Sequence, residues 1–580
     1  MNKVILALAL LAASGVVRAD DPYVGYIFPA GIQAGTTNRF LLGGQFLNGV
    51  KGLRFSGDDA LRVLKIEVVP GFPVPTGPQR RHLKTWLDGI AAGKTEEPPL
   101  PNDPHLDEWR SNAWWRCLGS LDAGKRALVE RNLHMPRNTL QSAPSLRQEL
   151  LVTVAAEAGA KTGWRTFCAY GWNGISAPRP FAVTAEPHEA EPLYSPPYRP
   201  RPASPPADVR TGGRMLDGQI LPGETDAFSL RLAAGRRYSF RTTARELQPY
   251  IGDAVPGFFN PILTLKDAQG ATVAVADDES RFRPDPLLTF APPVDGDYRL
   301  EIRDLLFRGR ADFVYAIAVG DAAARTAPAA DGVVARPGAV SSRTFAIDEP
   351  GPRVLEVTAR RRGSPLDAVL TLRRESDGAV LAQWDDMTNT VFTGTIPQGE
   401  CDPVGCYDFA APGRYVAEIT DRTGHGGPDY VWWLDVRRPT PRFEVFSTRS
   451  TLPLRRGQPL AVGFKVLRKD GFAGAVTIEA PKGVLAESAT IPEGADAVTT
   501  RLFYTGRQVL PIQPVRLYAW AEVCGHTMRV PVTPCDEYEQ AFAWTHLVPA
   551  EAFLLRGLPG GPARKKPAKR TEGAIFSSDT

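Results

Sequence analysis

Asp277, Asp278 and Glu279 stand in a row at the end of a stretch that reads as a strand, with Asp285 close behind. Carboxylate oxygens are hard ligands and calcium gathers about six to eight of them from loops, so these four residues form a candidate calcium site. Asp385 and Asp386 repeat the leading pair further along. A hydrated acidic turn is the competing reading, because neither a helix-flanked calcium loop nor a Gly-x-Asp nonapeptide array is present. The six cysteines suggest different chemistry. Cys117 and Cys168 fall in one N-terminal stretch, Cys401 and Cys406 are five apart, and Cys524 and Cys535 are eleven apart. An even number in a chain with an export signal favours disulfides, and local pairing is the simplest arrangement. The absence of Cys-x-x-Cys argues against a zinc ribbon or a thioredoxin-like site.

Signatures of hydrolysis are missing. His-Glu-x-x-His, Gly-x-Ser-x-Gly and paired glycosidase acids do not occur, and the seven histidines (His82, His105, His134, His188, His425, His526, His546) are scattered singly. His425, in the glycine-rich DRTGHGGPDY, is the most exposed candidate, with a plain turn as the simpler reading. No P-loop and no Gly-x-Gly-x-x-Gly after a strand supports a nucleotide cofactor.

The elements that would carry these residues are written twice. Asp208 to Gly320 contains Pro222-Gly223-Glu224-x-Asp226-x-Phe228, the hairpin PILTLKDAQGATVAVADDE and the closing DGDYRLEIRD; Asp331 to Arg437 returns AVLTLRRESDGAVLAQWDD and PGRYVAEITD. Tyr298 and Tyr415, Asp304 and Asp421, Phe228 and Phe345, and Tyr315 and Trp432 are each 117 positions apart. Gly296 and Gly413 permit a turn, and the tyrosine after each can pack its ring while its hydroxyl finds a partner. The second copy departs at its start, where Ser342-Arg343-Thr344 replaces the acidic pair, and it inserts QGECDPVGC at 398–406.

At 580 residues the chain exceeds one core, and 54 glycines and 53 prolines favour short strands and tight turns. The expected fold is all-β and multi-domain: serial β-sandwiches, Ig-like and jelly-roll-like, with a small helical insertion in the N-terminal domain. Lys3, the apolar run Val4 to Val17 and the small-residue site before Asp20 read as a signal peptide over 1–19. The run is too short to span a bilayer, so no integral membrane segment is expected in the mature chain.

An N-terminal sandwich follows over 20–184, interrupted at about 79–140. There Leu83, Trp86, Leu87 and Ile90 have helical spacing, and Asp103-Pro104 offers a helix start for Leu106, Trp109, Ala113 and Cys117. A third helix is expected from Asp122 to Leu133. Trp86, Trp109, Trp114 and Trp115 form either the core of this bundle or an aromatic ligand platform. Residues 185–207 hold eight prolines and read as a semi-rigid spacer. The copies occupy 208–322 and 331–438. A last sandwich, with alternation at Leu460, Val462, Phe464 and Val466, covers 440–556, and 557–580 is a basic tail unsuited to folding. The absence of a basic stripe interleaved with aromatics disfavours nucleic acid as a partner.

The duplicated unit resembles the bacterial pre-peptidase C-terminal domain, through Gly218-x-Ile220, Pro222 to Phe228, LTLKDAQG, Asp277-Asp278 and Asp295-Gly296-Asp297-Tyr298. The opening IFPAGIQAGTTNRFLLGGQFLNGVKGLRFSG resembles the IPT/TIG domain, and the last sandwich resembles bacterial Ig-like domains. Their order is similar to that of secreted proteins of planctomycete-type bacteria. The signal segment implies an exported chain, periplasmic, cell-surface or extracellular, and the repeat, the Pro-rich spacer and the missing catalytic signatures point to a non-catalytic protein that binds an extracellular polymer, an envelope component or a partner protein, a reading the resemblance fits. The resemblance also admits an accessory role beside a secreted hydrolase or a structural place in an envelope assembly, and calcium is the one cofactor it suggests.

Overall fold

The computed structural model describes residues 21–69, 77–99, 113–134, 146, 148–193, 206–248, 257–279, 284–322, 330–386, 402–540 and 544–558. The signal segment, the helix start at Asp103-Pro104, Trp109, Cys401 and the tail from 559 onward lie outside these residues, whereas Gly557 and Leu558, expected in the tail, close the last strand. No helix among those described is long and apolar enough to cross a membrane.

The chain is all-β and multi-domain. Two sheets built from Tyr23–Phe28, Thr37–Gln45, Gln148–Ala156 and Leu61–Val69, and from Gly31–Gln33, Arg179–Thr184, Gly163–Gly171 and Val50–Phe55, make the N-terminal sandwich. Helix α1 (Gly77–Ala91), the short α2 (Ala113–Arg116) and α3 (Ala123–His134) stand between its strands. Trp86, Trp114 and Trp115 are buried, so the platform reading is corrected for these three. Their core is larger than a bundle, because they share it with Tyr26 and Phe28 of the first strand and with Met215, Val314 and Ala316 of the first copy.

The first copy pairs two sheets. One runs Ala207–Asp208, Thr225–Leu232, Gly296–Asp304, Pro261–Lys266, Thr272–Ala276; the other His188–Ala190, Arg214–Gln219, Val314–Asp321, Tyr238–Thr243, Leu287–Phe290. The second copy repeats the order with Ser341–Ile347, Gly413–Asp421, Ala368–Arg374, Val380–Trp384 and with Gly332–Val333, Val431–Arg437, Gly351–Thr358, Val404–Phe409. The spacer is not wholly a spacer: its two ends are parallel edge strands of the first copy. The register also corrects one equivalence. Phe228 lies opposite Leu300, whereas Phe345 lies opposite Tyr415, the counterpart of Tyr298, so Phe345 takes the place of Leu230 and the opening strands are offset by 115 positions. A two-residue slip keeps the same face inward and therefore does not disturb the core.

In the C-terminal unit Leu460, Val462, Phe464 and Val466 are buried along Leu460–Lys469, and the last strand described is Phe553–Leu558.

Among the described residues neither Cys117–Cys168 nor Cys524–Cys535 is paired. Cys117, Cys168, Cys406, Cys524 and Cys535 are free thiols. Cys524 and Cys535 sit beyond opposite ends of the strand His526–Thr533, whose eight residues span roughly 26 Å, against Cα separations of about 7 Å or less across a disulfide. Cys117 is exposed whereas Cys168 is buried in the sheet. Cys406 stands alone here, since its expected partner Cys401 is outside the described residues.

Candidate functional site

Alternation places the candidate. Along Gly296–Asp304 the inward positions are Tyr298, Leu300, Ile302 and Asp304, and along Gly413–Asp421 they are Tyr415, Ala417, Ile419 and Asp421. Each strand therefore ends with a carboxylate on its core face. Burying a charge is costly unless it is bonded, and both aspartates are. Asp304 accepts the backbone N–H of Asn260 (2.9 Å), Leu306 (2.9 Å) and Arg308 (3.0 Å). Asp421 accepts the backbone N–H of Asp367 (2.9 Å), Thr423 (3.0 Å) and His425 (2.9 Å). Burial works to raise both acids, but the Arg308 guanidinium and the N–H donors outweigh it at Asp304, and the Thr423 hydroxyl and the N–H donors do so at Asp421. Both carboxyls are held below the usual range.

The rest of the frame also recurs. Leu305 N–H donates to Asn260 O and Arg422 N–H to Asp367 O, both at 2.8 Å. Gly223 N–H reaches Phe307 O and Gly338 N–H reaches Gly424 O. The second copy thus keeps the Pro-Gly turn as Pro337-Gly338, two residues out of the 117 spacing, which hid it in the sequence. The acids beside the first turn serve structure: Glu224 Oε2 accepts Leu221 N–H (3.0 Å), and buried Asp226 accepts the Tyr315 hydroxyl (2.8 Å).

What this frame displays differs between copies. The first shows Leu305, Leu306 and Phe307 to solvent, with the Arg303 guanidinium 4.6 Å from the Phe307 ring centre. The second shows Arg422, Thr423, Gly424 and His425, where Thr423 Oγ1 lies 2.7 Å from His425 Nδ1.

The expected calcium set does not assemble. Asp285 is buried, accepting the N–H of Ala244 (2.7 Å) and Arg245 (2.9 Å), so its carboxylate closes a turn instead of joining the exposed Asp277 and Asp278. Burial pushes it up to about 7 against the pull of those two donors. Asp402 repeats the role in the second copy, accepting the N–H of Arg360 (2.9 Å) and Arg361 (3.2 Å). Among the described residues the one group of three acids with ligand atoms within 4.8 Å of one another is Asp367, Asp385 and Asp386. It exists only in the second copy because Asn260 holds the first copy's place for Asp367. Burial raises Asp386, with Asp367 and Asp402 adding to the effect. Arg422 pairs with Asp385, and Arg360 lies 3.3 Å from Asp367. Three carboxylates supply about half of a calcium shell, and two of these already face arginine, so the group as it stands is an ion-pair network.

Comparison with known proteins gives no family. No family model and no curated protein matches the chain. Among solved structures, the chain aligns with the N-terminal four Ig domains of Dscam1 isoform 4.44 at 8% identity and TM-score 0.11, covering 66% of this chain and 84% of that one. It also aligns with a mutant of Salmonella alpha-2-macroglobulin at 10% identity and TM-score 0.15, covering 89% of this chain and 30% of that one. Scores at this level leave the strands and sheets described above as the basis for the fold.

Proposed function

We propose that the chain is an exported binding and scaffold protein without catalytic activity, in which two sandwiches of pre-peptidase C-terminal type, between an IPT/TIG-like and an Ig-like sandwich, bind an envelope component through their loop ends. The observation that carries this reading is the recurrence of one hydrogen-bonded loop frame under opposite chemistries, apolar at Leu305 to Phe307 and polar at Arg422 to His425. Duplicating a rigid frame while changing only what it displays produces two different recognition surfaces. Partner, export and the domain assignments 20–184, 208–322, 331–438 and 440–556 belong to the same proposal.

Its test is to immobilise the purified chain and measure retention of envelope polysaccharide, envelope lipid and envelope protein, beside turnover of broad peptidase and glycosidase substrates. Saturable retention without turnover is the expected result. Turnover that survives repurification and disappears when one acid or histidine is changed would replace this reading with a hydrolase.

A further inference from the structure

Phe307 has φ 53°, in the left-handed region where a bulky residue is strained, and its counterpart is Gly424 at φ 76°. Leu305, Leu306 and Phe307 are 38%, 64% and 52% exposed. Strain without burial serves no packing purpose. We propose that this apolar knuckle inserts into a lipid surface bearing anionic headgroups, an assignment that rests on the binding reading above and names its ligand class.

Three observations favour lipid. Hydrocarbon cannot satisfy backbone N–H groups, and those of this loop are bonded internally, as they also are under the polar loop of the second copy, so the frame permits insertion: Leu305 N–H bonds to Asn260 O, Leu306 and Arg308 N–H to the Asp304 carboxylate, and Phe307 N–H to Asp304 O. One unneutralised cation stands at the tip. Arg303 makes no ion pair among the described residues, lies over the Phe307 ring and donates to the carbonyls of Asp304 and Leu305, and residues 303–312 set three arginines against two aspartates. Arg308 and Arg310 are paired with Asp304 and Asp312, so Arg303 is the arginine left to meet a headgroup. The third observation is size. Three side chains fall well short of the roughly 1,000 Å² that a specific protein interface buries, whereas a lipid surface requires no complementary shape.

The experiment is co-sedimentation of the full-length chain with vesicles of phosphatidylglycerol and phosphatidylethanolamine, against phosphatidylcholine alone, at low and high salt. The critical variant is Leu306→Thr with Phe307→Gly, the residues the second copy carries on the same frame; thermal unfolding verifies that it folds. Arg303→Gln is the second. Wild type should sediment with the anionic vesicles, release in high salt, and lose about tenfold or more in affinity in the double variant, with a smaller loss for Arg303→Gln. Wild type left in the supernatant, or a double variant that binds equally well, overturns the assignment. Knuckle-dependent capture of a protein without vesicle binding also overturns it, while leaving the broader binding function standing.

Discussion

At Phe307 the two copies act as each other's control. The backbone bonds around Phe307 and Gly424 match, so the side chain is the variable. A non-glycine residue in the left-handed region costs roughly 1–2 kcal/mol, and the Arg303 contact returns part of that. Phe307→Gly is therefore expected to leave stability unchanged or raise it by about 1 kcal/mol in denaturant unfolding, an unusual result for deleting an aromatic ring. Asp285 gives a pH dependence of defined sign. Its folded carboxyl, raised to about 7, holds a proton that the unfolded chain has lost, so its contribution is complete below the ordinary carboxylate range and disappears as pH rises through about 7. The stability of wild type relative to Asp285→Asn should therefore fall between about pH 5 and pH 8, by on the order of 2 kcal/mol. A gap that is flat or widens with pH would show that the two N–H donors dominate over burial.

Among the strands, the aromatic pair Tyr315 and Trp432 shows how one element serves two chemistries. Each ring lies across a glycine on the neighbouring strand, Gly218 under Tyr315 and Gly332 under Trp432, and a Cβ at either glycine would run into the ring. Gly332→Ala should thus destabilise the second copy by about 2 kcal/mol, as overpacking does, with a matching loss in the first copy for Gly218→Ala, read as midpoint shifts in denaturant. Much of this was legible. Alternation gave the strands, the 117 spacing gave the duplication, and Tyr298 and Tyr415 do find partners, the carbonyls of Val294 (3.2 Å) and Ala411 (3.0 Å). The register of the opening strand was not legible, because the match of Phe228 with Phe345 hid a two-residue offset. The loop ends were not legible either. Their shared frame consists of backbone N–H groups bonded to Asp304 and Asp421, and sequence does not show where backbone donors point. Acidity alone drew attention to Asp277 and Asp285, but burial separated them.

Across the whole molecule, the chain folds back instead of extending as a string of sandwiches. Asp217 of the first copy accepts Ala30 N–H of the N-terminal unit, and Asp470 joins Arg437 (2.5 Å) and Arg442 (2.8 Å) where the second copy gives way to the C-terminal unit. The C-terminal unit in turn meets the N-terminal one. Arg179, 3% exposed, donates to Tyr538 Oη (2.9 Å) and to Val24 O (2.8 Å), with Tyr23 and Tyr538 rings at 5.7 and 5.1 Å. Arg449 pairs with Asp21 at 2.6 Å, and Arg556 bonds to Gly174 O at 3.1 Å. Most of these ties are single charged groups between units, so removing the buried one should matter most. A charge-assisted hydrogen bond contributes about 1.5–3 kcal/mol and a desolvated cation–π contact about 2. Arg179→Leu should accordingly weaken the contact between the N- and C-terminal units by about 3 kcal/mol, while leaving the separate cores intact. The expected signature is a larger radius of gyration in solution scattering, together with a thermal transition that splits in two. If the radius and the single transition persist, the outer ties Arg449–Asp21 and Arg556–Gly174 hold the closure, and the next variant to test is Arg449→Leu.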